Sequence, residues 1–252
     1  TFREESVLWG ARYVNKSDLG GAKVAFNFDG SCANHVIIGA VGADRWEAEI
    51  FGRASHAGGA PENGISATLI LAEALSRVHG DGYFGKVTKK HGSGTSNVGP
   101  VGGPDGGPAG DATNVVTDYV KVYGESRSHN AKFFREITAA YKAALNDAAS
   151  KVKNADGKKG RVRFSARTDY HPFLMKQSQP AVKHAIAAVE AIGLAPEVRV
   201  ANGGLDANWL VRHGIPTVTF GAGQNGAHTV EEWINLVEFG HACDVAMQLA
   251  TG

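Results

Sequence analysis

The order of apolar and polar positions along the chain predicts strands in two different environments. KVAFNFDG (23–30) is a continuous apolar run that ends at an acid and a glycine, and IPTVTFGAG (215–223) is a second short apolar run. Such runs are typical of strands buried on both faces of a sheet. By contrast, RWEAEIFGRAS (45–55) and NVVTDYVKVYGESR (114–127) alternate between apolar and polar residues. That alternation indicates strands with one face in solvent.

Other stretches carry the apolar spacing of amphipathic helices. One of them follows Pro61 and ends at Gly80, which are ordinary start and stop signals for a helix. The predicted helices are ENGISATLILAEALSRVHG, AKFFREITAAYKAALNDAASKV, PAVKHAIAAVEAIGL, the shorter DANWLVRHG and the final VEEWINLVEFGHACDVAMQLA.

The succession of these elements predicts an α/β protein with an inserted domain. Residues 1–43 and 173–252 alternate between strands and helices, which favours a largely parallel sheet. Residues 44–172 have the order strand, helix, strands, helix, strand, which indicates an α+β domain made of one antiparallel sheet and two helices. We therefore expect a discontinuous α/β domain interrupted by residues 44–172.

Composition narrows the possible functions only slightly. The 26 Lys and Arg residues balance 25 Asp and Glu residues, so charge gives no support for binding to nucleic acid or to an anionic membrane. No apolar run approaches the roughly 20 residues that span a bilayer. Cys32 and Cys243 are the only cysteines, which excludes a disulfide framework and fits a cytoplasmic protein. The glycine-rich segment 92–111 reads as a long loop, without the context of a phosphate-binding motif.

Four places contain residues that can perform chemistry: the pair Glu4 and Glu5, Asp29 at the end of a strand, His56, and His228. Ligand sites in α/β sheets lie beyond the carboxyl ends of the strands, where Asp29 and His228 are expected. Carboxylates and an imidazole that converge there would suit zinc.

Each of these residues also has an ordinary structural interpretation. The acid pair can stabilise a helix N-terminus, and Asp29 can be a turn residue before Gly30. His56 can be a surface or capping histidine. His228 can simply precede a helix start that is capped by Thr229. Spacing alone leaves both interpretations open.

Six segments together resemble a known family, in the same order and across nearly the whole chain. It is the two-zinc metallopeptidase and deacylase family that includes peptidase T, carboxypeptidase G, carnosinase and succinyl-diaminopimelate desuccinylase, and peptidase T-like members are the nearest in character. The segments that carry the resemblance are TFREESVLWGAR, FNFDG, FGRASHAGGAPENGISA, TNVVTDYVKVYGESRSHN, ANGGLDANWLVRHGIPTVTFGAG and AHTVEEW.

The resemblance implies a two-zinc site for hydrolysis of an amide bond in a small peptide or an N-acyl amino acid. Glu4 would be the general base and Glu5 a ligand to one zinc ion. Asp29 would bind one zinc ion and His228 the other.

The resemblance also implies that the domain 44–172 is a lid or dimerisation domain. His56 would reach from it, in family members often across a dimer interface, to stabilise the oxyanion. Asn114 and Arg127 would hold the substrate carboxylate or the oxyanion. The residues expected to shape the pocket floor are Gly203, Gly204 and Asp206.

The chain departs from the family at its beginning. The family supplies a His-x-Asp motif and a metal-bridging Asp from about a hundred residues upstream of the Glu pair, whereas only three residues precede Glu4 here. The resemblance therefore implies an N-terminally truncated chain with part of the zinc ligand set and little or no activity by itself. We expect a cytoplasmic homodimer that pairs through the lid. The alternative is a non-catalytic dimerisation or binding module that has lost its metal site.

Overall fold

A computed structural model describes residues 8–227 and 229–252 of the chain. Within these residues the main chain forms six α-helices and twelve strands, together with short 3₁₀ turns at Lys16–Leu19 and Pro61–Asn63. In chain order the elements are α1 (Trp9–Tyr13), β1 (Ala25–Phe28), β2 (His35–Ala40), β3 (Gly42–Phe51), α2 (Ala67–Gly80), β4 (Gly85–Lys89), β5 (Gly92–Gly102), β6 (Tyr119–Ser128), α3 (Ala131–Lys151), β7 (Arg161–Tyr170), β8 (Phe173–Leu174), α4 (Pro180–Ala191), β9 (Glu197–Ala201), α5 (Asp206–Arg212), β10 (Thr217–Phe220), β11 (Gln224–Asn225), β12 (Trp233–Ile234) and α6 (Leu236–Thr251).

The chain divides into two compact units. The split unit consists of Thr1–Gly42 and Tyr170–Gly252, and the inserted unit consists of Ala43–Asp169. The predicted α/β fold class is confirmed. The role of residues 44–172 as a lid or dimerisation domain stays a prediction.

The split unit is built on a mixed five-stranded sheet. β1 pairs in parallel with β10, from Ala25 opposite Thr217 to Phe28 opposite Phe220. β2 pairs in parallel with β9, but it runs antiparallel to β10 and to the short β8. The expectation of a largely parallel sheet was therefore wrong, because β2 and β9 run opposite to β1, β10 and β8. The predicted ligand Asp29 directly follows β1 of the parallel pair β1–β10.

Helices cover both faces of this sheet. On one face, α4 and α6 pack on a core that includes Val36, Ile38, Val218 and Phe220. On the other face, α5 packs near Ala40. Coverage on both sides explains why the strands read as continuous apolar runs.

The inserted unit contains a five-stranded sheet in the order β4-β5-β6-β3-β7, with β4, β5 and β6 paired antiparallel. α2 and α3 pack against each other and against this sheet. Its core includes Ile50, Ile70, Phe133, Ile137 and Tyr141. Alternate residues of β3, such as Trp46, Ala48 and Ile50, are buried, as the alternating pattern predicted.

The first part of the glycine-rich segment is a strand, and the prediction of a long loop there was wrong. β5 pairs with β4 from Gly92 onward and with β6 from Thr95 onward. A Cβ atom on Gly92 would lie 2.6 Å from the Phe133 ring, and one on Gly94 would lie 2.3 Å from the carbonyl oxygen of Arg127. Glycine is used here because α3 and β6 approach the strand closely, which composition alone does not reveal.

Among the described residues, no helix is both long enough and apolar enough to cross a membrane.

Burial makes the stability of the split unit depend on the protonation of His35. Burial and the positive charge of Arg199 lower the pKa of this imidazole below 6.5, although Oε2 of Glu197 lies 3.9 Å from its Nε2. As the pH drops through 6.5, His35 therefore takes up a proton in the unfolded chain before it does so in the folded chain. Protonation then favours the unfolded chain, so the free energy of unfolding should fall.

We expect His35→Gln to flatten that pH dependence, measured by urea unfolding between pH 7.5 and pH 5.5. His79→Gln, at an exposed position, is the control. Identical pH profiles for wild type and His35→Gln would contradict this assignment.

Candidate active site

The candidate site lies where β1 and β10 end side by side. Because these strands are parallel and end in register, the chain leaves both of them at the same edge of the sheet. Asp29 is the first residue after β1, and its N–H donates a hydrogen bond to the carbonyl oxygen of Phe220 at 2.7 Å. This edge is the usual location of ligand sites in α/β proteins.

The turn after β1 is hydrogen-bonded to the turn after β10. The carbonyl oxygen of Gly30 accepts from the N–H groups of Ala222 at 2.8 Å and Gln224 at 3.0 Å. The carbonyl oxygen of Ser31 accepts from the N–H of Gly223 at 2.7 Å. In the opposite direction, the N–H of Gly30 donates to Oε1 of Gln224 at 2.6 Å. These bonds fix the main chain around Asp29 against the segment 222–224.

That segment leads directly into a small hairpin. β11 and β12 pair antiparallel, with Gln224 opposite Ile234 and Asn225 opposite Trp233. On its far side the hairpin is held by Asn235, whose N–H donates to the carbonyl oxygen of Gly223 at 2.7 Å. The side chain of Asn235 also caps α6 by accepting from the N–H groups at the start of that helix.

Three of the predicted site residues, Glu4, Glu5 and His228, lie outside the described residues. Position 228 falls in the connection between β11 and β12. The predicted ligand Asp29 and the hairpin that includes position 228 therefore start from the same hydrogen-bonded pair of turns.

Glycine is required in the turn after β10 because the chains approach so closely. A Cβ atom on Gly221 would lie 2.3 Å from the carbonyl oxygen and 2.5 Å from the nitrogen of Cys32. Gly223 has a φ of +85°, and a Cβ atom there would lie 2.5 Å from the carbonyl oxygen of Asn235. Both glycines of FGAG are thus explained by close contacts, of Gly221 with the turn after β1 and of Gly223 with Asn235.

The segment predicted to shape the pocket floor lies at the start of α5. A Cβ atom on Gly204 would meet the Tyr170 ring at 2.6 Å, whereas one on Gly203 would meet open space. Asp206 is the first residue of α5, and its side chain is buried with 2% exposure. A carboxylate at a helix N-terminus is favoured by the helix dipole, so a structural role for Asp206 remains sufficient.

Sequence reasoning did not identify Asn208, two residues further on. Its Nδ2 donates to the carbonyl oxygens of Val41 at 2.9 Å and His171 at 2.8 Å, and its Oδ1 accepts from the N–H of Leu205 at 2.8 Å. These bonds join the start of α5 to two other segments of the split unit. No local pattern marks such an amide, because its partners are distant in sequence.

In the inserted unit, the structure brings His56 and Asn114 together. The two segments run side by side: the N–H of Ala57 donates to the carbonyl oxygen of Asn114 at 2.8 Å, and residue 56 bridges to Val115. β6 begins only at Tyr119, so the strand predicted from residue 114 starts later than expected.

His56 has a defined tautomer. Its Nδ1 accepts hydrogen bonds from the N–H groups of Gly58 at 3.1 Å and Gly59 at 2.9 Å. An imidazole nitrogen that accepts carries no proton, so the ring proton of neutral His56 is on Nε2. The side chain is exposed, which leaves a neutral N–H donor on the surface of the inserted unit.

Arg127 lies at the opposite end of β6. It is eight residues beyond Tyr119, or about 26 Å along an extended strand. Its guanidinium forms a two-point contact with Glu125, with Nε to Oε1 and Nη2 to Oε2 both at 2.9 Å. The structure therefore does not bring Arg127 of one chain together with His56 and Asn114.

A cavity in the inserted unit is lined by none of the predicted site residues that the structure describes. It has a volume of about 750 Å³ on the sheet face opposite the helices. Its charged lining residues include Arg45 and Arg167, which both contact the buried Asp169 at 2.7 and 3.0 Å, and Glu47, which contacts Lys121 at 3.4 Å. Because these charges are already paired, we assign no ligand to this cavity.

One His-x-Asp triplet is present in the sequence, at His79–Asp81. It lies at the end of α2 in the inserted unit, where both side chains are exposed and Oδ2 of Asp81 is 3.5 Å from Nε of Arg77. It is downstream of the Glu pair, so it does not correspond to the motif that the resemblance calls for. Among the described residues, no group of three or more His, Cys, Asp or Glu side chains is placed to hold a metal ion.

Comparison with known proteins identifies the family. The model for peptidase family M20/M25/M40 matches residues 1–251. The chain therefore belongs to this family.

Individual relatives agree with that assignment. The chain is 31% identical over 239 residues to the uncharacterized protein YqjE of Bacillus subtilis, covering 94% of this chain and 59% of that protein. Among solved structures, it resembles a tripeptidase from Staphylococcus aureus with a TM-score of 0.84 and 27% identity. It also resembles the aminopeptidase PepT from Bacillus cereus with a TM-score of 0.79 and 29% identity. Both alignments cover 98% of this chain and 61% of the other, so the chain spans about three-fifths of the length of these relatives.

The close contact between the two turns predicts that a methyl group added at residue 221 will destabilise the fold. We expect Gly221→Ala to lower the free energy of unfolding by about 1–3 kcal/mol, because its Cβ atom overlaps the main chain of Cys32. Gly240→Ala in α6, where an added Cβ atom meets nothing, should instead raise it by up to about 1 kcal/mol. Urea denaturation measures both, and equal effects of the two substitutions would contradict the close approach.

Proposed function

We propose that the protein to which this M20-family chain belongs hydrolyses a peptide bond in a short peptide, or the amide bond of an N-acyl amino acid, at a zinc site. A peptidase T-like activity is favoured, because two of the solved relatives are an aminopeptidase and a tripeptidase. The observation that carries the proposal is the hydrogen-bonded pair of turns, which gives Asp29 and the hairpin that includes position 228 a common origin.

The side chain of Asp29, the predicted ligand that the structure describes, suits zinc. Asp29 is half-buried and follows the half-buried parallel strand β1, and carboxylate oxygen is an ordinary zinc ligand. The other ligands that this chain would contribute are Glu5 and His228. Zinc bound there would supply Lewis-acid polarisation of the scissile carbonyl group.

The remaining chemistry belongs to side chains of this chain. Glu4 would take the proton of the attacking water and deliver it to the leaving nitrogen, so that the carboxylate is regenerated when the C–N bond breaks. His56 would donate from Nε2 to the oxyanion as the carbonyl carbon becomes tetrahedral. Acceptance at Nδ1 from Gly58 and Gly59 supports this role, because it keeps the proton on Nε2.

Substrate positioning is proposed for the other predicted residues. Asn114 adjoins His56 and would bind near the oxyanion, and Arg127 would bind the substrate carboxylate through its planar N–H donors. The residues proposed to shape the pocket floor are Gly203, Gly204 and Asp206.

We propose that the protein acts as a homodimer through the inserted unit. A fully extended tripeptide spans only about 10 Å, whereas Arg127 lies about 26 Å along β6 even from Tyr119. One short substrate cannot touch both Arg127 and His56 of the same chain in this geometry. A site that draws His56 and Asn114 from one copy and Arg127 from the other would resolve the separation.

The proposed activity is that of the whole protein, because the chain spans about three-fifths of its relatives. We expect the 252 residues alone to hydrolyse peptides weakly or not at all, since they supply only part of the proposed ligand set. A binding or dimerisation module without a metal is the alternative, and the absence of zinc binding would favour it. A cytoplasmic location remains a prediction.

The metal role of Asp29 can be tested on this chain directly. We expect Asp29→Asn to weaken zinc binding about 100-fold or more, because even partners outside the first ligand shell are worth about 10–100-fold. Calorimetric titration with Zn²⁺ measures the change. Asp18→Asn, at an exposed acid of the same unit, should leave zinc binding unchanged. Equal zinc affinity of wild type and Asp29→Asn would exclude Asp29 as a ligand.

Sharing of one site by two copies can be tested by mixing inactive variants of the whole protein. Separately, His56→Ala and Arg127→Ala should each remove most of the tripeptide hydrolysis. When the two are unfolded and refolded together, one site in each mixed dimer is intact, and about a quarter of the wild-type activity should return.

The control for this experiment is a mixture of His56→Ala with the double variant His56→Ala, Arg127→Ala, in which no site can recover both side chains. Activity that stays absent in the first mixture, although mixed dimers form, would contradict the shared site.

A further inference from the structure

Gln224 is the residue whose side chain takes part in joining the two turns at the candidate site. Four of the bonds described above join main-chain atoms, and the fifth runs from the N–H of Gly30 to Oε1 of Gln224 at 2.6 Å. The N–H of Gln224 returns a bond to the carbonyl oxygen of Gly30 at 3.0 Å. Gln224 therefore forms hydrogen bonds with both the N–H and the carbonyl oxygen of Gly30.

The chemistry of this contact is unambiguous. A main-chain N–H can only donate, so the atom of Gln224 that faces it is the amide oxygen. The bond acts on the peptide unit between Asp29 and Gly30, which is the unit that directs the main chain away from the Asp29 side chain. Gly30 has a φ of +130°, a conformation that L side chains rarely adopt, so the turn depends on tertiary contacts to select this geometry.

Gln224 also belongs to the hairpin on the other side of the site. It is the first residue of β11 and lies opposite Ile234 of β12, four residues before position 228. A displacement of Gln224 would therefore move the base of the hairpin and the Asp29 turn relative to each other.

We propose that Gln224 is a positioning residue for metal binding. It holds the Asp29 turn and the base of the β11–β12 hairpin at a fixed spacing, so that the ligands are arranged before the ion arrives. This role rests on the proposed zinc site. It adds to that site a residue that touches neither the metal nor the substrate, and that acts only through the main chain of Gly30.

The neutral amide of Gln224 suits this position. Its oxygen accepts the Gly30 N–H without adding a second negative charge beside Asp29. Gln224→Met keeps the length of the side chain but removes the acceptor. Gln224→Glu keeps an oxygen acceptor but adds a negative charge, so exchange of the Gly30 amide without metal is the readout that separates loss of the hydrogen bond from a general effect of substitution.

The experiment is a Zn²⁺ titration of the 252-residue chain, followed by amide NMR signals of residues 29–31, together with hydrogen exchange at the Gly30 amide in the absence of metal. We expect Gln224→Met to speed Gly30 exchange at least tenfold and to raise the zinc concentration at half-saturation about 10–100-fold. Gln224→Glu should keep the Gly30 amide protected in the absence of metal, because its carboxylate can still accept the Gly30 N–H. Gln177→Met, at an exposed glutamine of the same unit, is the matched control and should behave as wild type.

The outcomes separate this inference from the proposed function. If wild type binds zinc at Asp29 and Gln224→Met binds it equally well, the positioning role is overturned while the zinc site stands. If wild type shows no zinc-dependent shift at residues 29–31, the proposed site fails and the positioning role fails with it. Unchanged Gly30 exchange in Gln224→Met would overturn the hydrogen bond itself.

Discussion

β1 and β10 run parallel and end in register, with Phe28 opposite Phe220, so the chain turns out of both strands at the same edge of the sheet. Main-chain hydrogen bonds then join Gly30 and Ser31 to residues 222–224, and the glycine at 221 allows the two turns to touch. Asp29, the hairpin and the start of α6 all take their positions from this contact. Any metal chemistry at this edge would depend on the spacing that these main-chain bonds and the side chain of Gln224 set.

The inserted unit poses a different constraint. His56 and Asn114 lie near one end of β6, and Arg127 lies near the other end. The length of this extended strand exceeds the length of a short peptide, so one peptide cannot contact both ends. The tautomer of His56, set by Gly58 and Gly59, provides a neutral donor. A second copy of the chain is therefore the proposed means of assembling the donors around one substrate.

Much of the fold could be predicted from the sequence, because buried and exposed positions of strands and helices recur as a regular spacing of apolar and polar residues. The continuous run before Asp29 predicted a strand covered on both faces, and the alternation in β3 predicted a strand with one wet face. The strand β5 was missed, because glycines chosen for close contact with Phe133 and Arg127 look like loop residues. The bonds of Asn208 and Gln224 were equally hidden, since their partners lie far away in the sequence. Family resemblance supplied the candidate residues, but not their spacing, and the placement of Glu4, Glu5 and His228 stays a prediction.

The most direct test of the central claim is a crystal of this chain soaked in Zn²⁺, with anomalous diffraction recorded on both sides of the zinc edge. We expect a zinc peak about 2.0–2.2 Å from a carboxylate oxygen of Asp29, at the edge where β1 and β10 end. A zinc ion bound elsewhere in the split unit, with Asp29 turned away from it, would contradict the claim that the paired turns form the metal site.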